Sequence, residues 1–188
     1  MEITDKDLVR SYLDGQTAAL EELVNKYKAP LFGYILDMTQ GGQDAEEVFQ
    51  ETWFRVIKKI RSYRDGNFFG WVMRIARNIV IDRARKKKPQ LTLDAENENG
   101  TSNIELVPGS QDNPSSNLAD HQTGIRIRKA VDELPPEQKE VFLMRTRLDL
   151  PFRDIADIQE TSINTALARM QYALQKLRSI LKEDYNEL

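Results

Sequence analysis

The sequence predicts an all-α protein in which two small helical domains are joined by a flexible acidic linker. Apolar side chains recur with helical spacing along nearly every ordered stretch of the 188 residues, and no stretch sustains the alternation of a β-strand. Asn, Ser, Gly and Pro accumulate from Gln90 to Ser116, where too few apolar side chains remain to offset the entropy lost on ordering. We therefore expect one domain at residues 1–89, the linker at 90–118 and the other domain at 119–188.

Eight helices are expected, with ends set by capping and helix-breaking residues. They span about 4–14, 17–38, 43–60, 67–88, 119–134, 137–147, 151–159 and 162–184. Thr4 and Asp5 can cap the first helix. Asp44 follows the break at Gly41-Gly42 and is expected to cap the third helix. Pro135-Pro136 ends one helix and begins the next, because proline fits the first turn of a helix but not its interior.

Composition limits the classes of function. The chain contains no cysteine and a single histidine, His121, so neither disulfides nor a metal site is expected. Residues 1–15 are polar and amphipathic, unlike a signal peptide. No apolar run approaches the roughly 18 residues that a membrane span needs. These features predict a soluble, cytoplasmic protein without a metal or other cofactor.

Charge is strongly segregated along the chain. Residues 1–52 carry 4 basic and 11 acidic side chains, whereas residues 53–89 carry 12 basic and 2 acidic ones. Residues 90–125 carry 6 acidic side chains and no Lys or Arg. A dense basic block attracts the phosphate backbone of nucleic acid, although a solvated basic face on an acidic protein has the same composition.

The C-terminal segment has the pattern of a helix-turn-helix. A short helix is followed by a turn at Gln159-Glu160-Thr161, and Ser162 caps a longer helix. One face of the longer helix is apolar and comprises Ile163, Met170, Leu174, Leu177 and Leu181. The opposite face comprises Thr165, Ala168, Arg169, Tyr172, Gln175 and Lys176. Such a face can read base edges and phosphates, but an ordinary amphipathic helix in a bundle has the same periodicity.

The helix at 67–88 is divided in a similar way. Its apolar stripe comprises Phe68, Val72, Ile75, Ala76 and Ile79. Its other side carries Arg74, Arg77, Asn78 and Arg85. Tyr63, Arg64 and Asn67 lie just before it in a loop, and loops that mix aromatic and cationic side chains suit single-stranded nucleic acid. We expect the arginines to hold phosphates and Asn78 to reach a base.

The helix at 43–60 carries apolar side chains on two faces. Those expected to point inward are Ala45, Val48, Phe49, Thr52 and Val56. Phe54 and Ile57 point the other way, among Glu47, Gln50 and Glu51. Large apolar groups flanked by carboxylates favour a protein-binding surface, unless both pack beneath the N-terminal helices.

Three motifs in this order resemble the conserved regions of bacterial RNA polymerase sigma factors. The segment 44–53, DAEEVFQETW, is similar to region 2.2, and the segment 69–78, FGWVMRIARN, is similar to region 2.4. The segment 134–143, LPPEQKEVFL, with the helix-turn-helix after it, resembles region 4. No segment corresponds to region 1.1 or 3, as in the extracytoplasmic-function (sigma-24-like, group IV) family. The resemblance implies a non-enzymatic alternative sigma factor that directs promoter recognition, melting and transcription initiation.

The resemblance also implies partners and residue roles. Residues implied to bind the clamp helices of the largest polymerase subunit are Asp44, Glu47, Gln50, Glu51, Phe54 and Ile57. Residues implied to bind the minus-10 element are Tyr63, Arg64, Asn67, Arg74, Arg77, Asn78 and Arg85. Residues implied to bind the minus-35 element are Arg153, Ser162, Asn164, Thr165, Ala168, Arg169, Tyr172 and Lys176. The flap of the second-largest subunit and an anti-sigma factor are further implied partners, the linker is implied to follow the RNA exit path, and no small-molecule substrate is expected.

The C-terminal segment departs from the family pattern at several positions. The turn often reads Leu-Gly-Ile, whereas here it reads Gln159-Glu160-Thr161. Leu167 stands where a Lys or Arg is frequent, Ala168 at a common Ser and Tyr172 at a common Arg. Because Leu167 falls toward the apolar face, we expect one base contact available to relatives to be missing.

Two other classes of function remain open from the residues alone. A free-standing helix-turn-helix regulator would explain residues 126–184 but would leave the surface at Glu47–Ile57 without a role. A metal-dependent nuclease or phosphotransferase would need clustered carboxylates, and Asp44, Glu46 and Glu47 point in largely different directions around their helix. A gel shift without polymerase separates the regulator from a sigma factor.

Overall fold

The computed structural model describes residues 3–39, 41–64, 66–87 and 116–186. Within these ranges the chain is all-α and contains no strand, which confirms the predicted fold class. The predicted linker at 90–118 lies outside the described residues, except for its last three positions, where a helix has already begun. None of the helices in these ranges is long and apolar enough to cross a membrane.

The described residues of the N-terminal domain form four helices and a 3-10 turn. These are α1 (Asp5–Leu13), α2 (Thr17–Met38), α3 (Gly42–Lys59), the 3-10 turn Ile60–Ser62, and α4 (Phe68–Lys87). Helices α2, α3 and α4 pack against one another, and α1 packs on α2. The fully buried side chains at their centre include Leu23, Leu31, Ile35, Val48, Val56, Phe68 and Met73.

In the C-terminal domain, the described residues also form four helices. These are α5 (Ser116–Asp132), α6 (Pro136–Thr146), α7 (Phe152–Gln159) and α8 (Ile163–Asn186). Helix α8 contacts the other three and carries most of the packing. The core beneath it includes Val141, Met144, Ile155, Ile158, Ala166 and Ala173.

Most helix ends lie within a few residues of the predicted positions. Thr4 caps α1 in a capping box, in which its hydroxyl accepts from the Asp7 amide and the Asp7 carboxylate accepts from the Thr4 amide. Helix α6 begins at Pro136, as predicted. The expected cap at Asp44 is wrong, because α3 begins at Gly42 and Gly41 is its N-cap. Asp44 lies instead in the first turn, where a carboxylate favours the helix dipole.

The two domains contact each other through α4 and α7, and through α2 and α6. Arg77 of α4 forms an ion pair with Glu140 of α6, and Asn67 donates a hydrogen bond to Asp154 of α7. Asp37 of α2 accepts from Arg147 just after α6. This contact brings the helix-turn-helix against the basic helix α4.

Candidate nucleic-acid and protein interfaces

Helix α3 presents an apolar pair to solvent. Ala45, Val48, Thr52 and Val56 are buried, whereas Phe54 is 57% exposed and Ile57 is 42% exposed. The ammonium of Lys58 lies 4.2 Å from the centre of the Phe54 ring and leaves the rest of the ring accessible. The prediction that this pair faces outward is confirmed, and the alternative that it packs beneath the N-terminal helices is wrong.

Arg83 of α4 holds the carboxylates beside this apolar pair. Its guanidinium lies 2.9 Å from Glu47, 3.3 Å from Glu51 and 3.6 Å from Asp44. Burial opposes the charge of Arg83, but the hydrogen bonds to Glu47 and Glu51 outweigh it and raise the pKa of Arg83. The carboxylates are therefore fixed in one arrangement.

The sequence analysis assigns no role to Arg83. Its partners Glu47 and Glu51 lie more than thirty positions away along the chain, beyond the reach of helical periodicity. Asp44 and Glu47 are two of the carboxylates that a metal-dependent enzyme would need, and Arg83 pairs with both.

The basic arc of α4 is only partly open to solvent. Asn78 and Arg85 are exposed. The Arg77 side chain is 11% exposed, and its Nε donates to Glu140 at 2.8 Å. Arg74 is half-buried, and its Nε has no hydrogen-bond partner among the described residues. The sequence predicts this arc as one DNA-facing surface, but the structure divides it. Arg74 and Arg77 lie beneath the C-terminal domain, whereas Asn78 and Arg85 reach solvent.

The loop before α4 is ordered by its own aromatic and amide groups. The Tyr63 hydroxyl donates to the Gly66 carbonyl at 2.7 Å, and its ring lies 5.3 Å from both Phe68 and Trp71. Asn67 accepts from the Gly70 amide at 2.9 Å and thereby caps α4. Arg64 and Asn67 are exposed, while Tyr63 is half-buried. Residue 65 lies outside the described ranges.

A cavity of about 370 Å³ separates this loop from α7. Its N-terminal-domain wall includes the Tyr63 and Trp71 rings, Asn67 and Arg74, and its opposite wall includes Asp154 and Asp157. The loop that is expected to bind single-stranded nucleic acid therefore faces carboxylates of the helix-turn-helix.

The helix-turn-helix has the predicted geometry. Glu160 ends α7 in the left-handed conformation, with φ 54° and ψ 47°, and the next amide, of Thr161, donates to the Ala156 carbonyl at 2.9 Å. The Ser162 hydroxyl accepts from the Thr165 amide at 3.1 Å and caps α8, as expected. The turn thus ends α7 and begins α8 within three residues.

Helix α8 is rotated from the predicted orientation. Its most buried side chains are Ala166, Ala173 and Leu177, so the buried face is turned by roughly 50° from the predicted apolar face. Ile163 is exposed, so the prediction that it joins the apolar face is wrong, and Leu167, which was predicted to lie toward that face, is 38% exposed. The two alanines let the helix approach α6 and α7 closely, which leucine-based counting of apolar positions does not anticipate.

The rotation determines which predicted minus-35 residues reach solvent. The exposed ones are Arg153, Ser162, Asn164, Tyr172 and Lys176, and the half-buried ones are Thr165, Ala168 and Arg169. Gln171 is exposed on the same surface and was not selected from the sequence. Gln171 is recognised as a surface residue only once the buried face of α8 is known.

Four polar side chains connect α4 with α8. The Gln159 amide group donates to Glu140 at 2.7 Å and to the Glu137 carbonyl at 3.1 Å, and its oxygen accepts from Arg169 at 2.8 Å. Glu140 is 2% exposed and also accepts from Arg77. We refer to Arg77, Glu140, Gln159 and Arg169 as the interdomain network.

Tyr34 of α2 borders this network. Its ring is fully buried, and its hydroxyl has no hydrogen-bond partner among the described residues. Burial, reinforced by the charge of Glu140, raises the pKa of Tyr34 well above its ordinary value. The hydroxyl therefore stays protonated and neutral beside the Arg77–Glu140 pair.

Comparison with known proteins places both domains in one class. Residues 23–90 match Sigma-70 region 2, and residues 125–177 match Sigma-70, region 4. The ECF RNA polymerase sigma factor SigW of Bacillus subtilis is 26% identical over 186 residues, covering 97% of this chain and 100% of SigW. SigE of Mycolicibacterium smegmatis, also an ECF sigma factor, is 27% identical over 176 residues, which cover 92% of this chain and 66% of SigE.

Solved structures share the fold. The sigma factor RpoE of Bartonella quintana, in complex with the anti-sigma factor NepR, superposes with a TM-score of 0.71 at 20% identity, covering 87% of this chain and 96% of RpoE. CnrH, in complex with the cytosolic domain of CnrY, gives 0.71 at 18% identity, covering 96% and 98%. Region 2 followed by region 4 defines a sigma factor. More particularly, the chain belongs to the extracytoplasmic-function family of sigma factors, which are non-catalytic and direct RNA polymerase to promoters through these two regions.

Proposed function

We propose that each exposed surface of this chain has a separate role in promoter recognition. The surface of α3 around Phe54 and Ile57, with Asp44, Glu47, Gln50 and Glu51, binds the clamp helices of the largest polymerase subunit. Helix α4 and its preceding loop bind the minus-10 element. Helix α8, with Arg153 of α7, binds the minus-35 element, and the C-terminal domain binds the polymerase flap. Residues 1–89 and 119–188 act as the two functional domains.

The apolar pair on α3 is the observation that carries this proposal. Phe54 and Ile57 are exposed although they lie among carboxylates that Arg83 holds in place. A surface with an aromatic anchor and fixed charges around it is typical of a protein-binding hot spot. A regulator that binds DNA by itself has no use for such a surface, whereas a sigma factor must bind core polymerase.

The chemistry of α4 supports the minus-10 role. Arg74, Arg77 and Arg85 can neutralise phosphates, and the Tyr63 and Trp71 rings border a cavity large enough for a base. Asn78, which lies between Arg77 and Arg85 in the sequence, is exposed and offers an amide for a base edge.

The exposed residues of α8 support the minus-35 role. Asn164, Gln171 and Tyr172 lie on the surface of the second helix of a helix-turn-helix, the element that enters the major groove in such units. Leu167 is exposed beside them, so it can contact a thymine methyl group instead of being lost to the core.

An anti-sigma factor is a further proposed partner, and the cytoplasm is the proposed location. Two solved relatives were captured with such partners, NepR and the cytosolic domain of CnrY. Exposed apolar residues at Phe54 and Ile57 offer a surface for which an anti-sigma factor and core polymerase would compete.

The substitution Phe54→Ala tests the polymerase-binding surface. Loss of a central aromatic anchor should weaken core binding by about 1–3 kcal/mol while leaving the helical signal and Tm nearly unchanged. Leu13→Ala is the matched control, since Leu13 is a similarly exposed apolar residue of α1. Titration of labelled protein with purified core polymerase gives both affinities. Equal core affinity of the two variants would contradict the proposed surface.

A further inference from the structure

Arg83 directs its charge at α3 instead of at solvent. It begins the basic run at the end of α4, in which Arg85 and Lys86 are exposed. Its own side chain is 29% exposed, and its two terminal nitrogens donate to Glu47 and Glu51, which lie 36 and 32 positions earlier in the chain. An arginine whose fork is engaged by two carboxylates does not hold a phosphate as well. Arg83 therefore serves the surface of α3 and not the basic surface of α4.

The carboxylates that Arg83 holds are in line with the exposed aromatic ring of α3. Side chains three and four positions apart are neighbours on a helix surface. By this spacing, one row along α3 comprises Asp44, Glu47, Glu51 and Phe54. Carboxylates at such spacings repel one another when no cation lies among them. Arg83 lies within 3.6 Å of all three and so keeps them together in the row that leads to the ring.

Two carboxylates of this row are held to different degrees. Glu51 is bonded through both oxygens, by Arg83 at 3.3 Å and by Arg55 at 2.5 Å. Glu47 is bonded through one oxygen at 2.9 Å, and its side chain is 53% exposed. Within the described part of the chain, the other oxygen of Glu47 accepts no hydrogen bond. Glu51 thus acts as a brace, whereas Glu47 presents a fixed oxygen that can accept a charge-assisted hydrogen bond from a cation of a partner.

Side chains that are fixed in advance bind a partner more tightly than mobile ones. A glutamate that is ordered only on binding loses conformational entropy at that moment, and this loss weakens the complex. Arg83 orders Glu47 and Glu51 before any partner arrives. The affinity of α3 for a partner should therefore depend on Arg83, although Arg83 belongs to another helix.

We propose that Arg83 is a positioning residue for the binding of core polymerase. It holds Glu47 and Glu51 in the arrangement that the polymerase recognises beside Phe54. This inference rests on the proposed core-binding surface of α3, and it adds a residue of α4 that acts on that surface only through the carboxylates.

Arg83→Met tests the positioning role, because methionine keeps an unbranched stem and removes every donor. It should weaken binding to core polymerase about fivefold to tenfold, an effect of the size expected within one ion-pair network. Arg83→Lys should recover part of this loss, since an ammonium keeps the charge without the two-pronged geometry. Lys86→Met is the matched control, because it removes an exposed cation from the same helix, and it should bind as the unsubstituted chain does. Titration of labelled protein with purified core polymerase measures all four affinities.

A double-mutant cycle separates positioning from direct contact. In a chain that already carries Glu47→Gln and Glu51→Gln, Arg83 has lost the groups through which it acts. Adding Arg83→Met to that chain should therefore cause no further loss of core affinity. A loss by the same factor as in the unsubstituted chain would show that Arg83 itself contacts the polymerase, and it would overturn the inference.

Binding kinetics separate positioning from a change in folding. Arg83→Met leaves the row more negative, so its association with a cationic partner surface should be no slower, and the lost affinity should appear as faster dissociation. A partly unfolded domain would instead lower the apparent association rate, and thermal melting followed by circular dichroism checks for it. A loss confined to the association rate would overturn the inference. If Arg83→Met unfolds, the dissociation rate of Arg83→Lys decides by the same criterion.

Phe54→Ala keeps the test of this inference separate from the test of the proposed function. If Phe54→Ala weakens core binding while Arg83→Met and Lys86→Met bind equally well, the positioning role alone is overturned. If Phe54→Ala leaves core binding intact, the proposed surface is overturned and the positioning role with it.

Discussion

At the scale of single residues, the helix-turn-helix depends on a strained position. Glu160 adopts φ 54° and ψ 47°, a left-handed conformation that costs a residue with a Cβ atom roughly 1–2 kcal/mol. The conformation is needed because it turns the chain between α7 and α8. Glycine has no Cβ atom and adopts this conformation without that cost, so it would relieve the strain.

Glu160→Gly should therefore stabilise the C-terminal domain. Relief of strain is partly offset by the greater freedom of glycine in the unfolded chain, which leaves an expected gain of up to about 1 kcal/mol. Urea unfolding followed by circular dichroism measures it. Glu160→Ala is the control, because it removes the same carboxylate without relieving the strain. An equal gain in both variants would attribute the effect to charge instead.

Gln159 illustrates what sequence alone does not reveal about a residue. Its position in the turn was predictable from the helix-turn-helix pattern, but a polar side chain there has no local reason to be buried. The structure buries it and satisfies both ends of its amide, with Glu140 and Arg169. Partners that lie 10 and 19 positions away leave no periodic trace.

At the scale of elements, α3 and α4 were predictable because their apolar stripes are built from large side chains. Val48, Val56, Phe68 and Val72 recur at helical spacing and are all buried. Helix α8 was placed correctly along the chain but rotated, since its most buried side chains include Ala166 and Ala173. Small residues contribute little to an apolar pattern, although they determine how closely two helices approach.

Substitutions on α8 test its assignment to the minus-35 element. Arg169→Ala should cost roughly 1–3 kcal/mol at one base position and relax the preference there. Tyr172→Arg should shift the preference toward guanine at a neighbouring position, because arginine can bond both O6 and N7 of guanine and tyrosine cannot. Selection of promoter variants with each protein measures both effects.

Arg178→Ala is the matched control for these substitutions. It removes an exposed cation from the same helix, outside the residues assigned to DNA. The control should keep the minus-35 preference of the unsubstituted chain. If Arg169→Ala and Tyr172→Arg also keep it, α8 does not read bases in the groove.

At the scale of the whole molecule, the two domains and their family were predictable from the sequence, but their contact was not. Three motifs in order identify the family, and they now match region 2 and region 4. Arg77 and Glu140 lie 63 positions apart and in different domains, so each looks like an ordinary charged residue of its own helix. Only the docked arrangement reveals that the two surfaces assigned to DNA are joined.

The charges that are segregated along the sequence are partly paired with each other in the folded molecule. Within the described part of the basic block of residues 53–89, three arginines pair with carboxylates: Arg55 with Glu51, Arg77 with Glu140, and Arg83 with Asp44, Glu47 and Glu51. Charge that would bind DNA without sequence preference is partly neutralised within the chain. This agrees with a factor that depends on polymerase for access to promoters.

Run-off transcription with purified core polymerase across a promoter library tests the central claim most directly. The account predicts transcripts only when both the chain and core polymerase are present, from promoters that share a minus-10 and a minus-35 element. It also predicts that the unsubstituted chain alone binds those promoters weakly. Tight and specific binding by the chain alone, with no transcripts on addition of core polymerase, would contradict the assignment as a sigma factor.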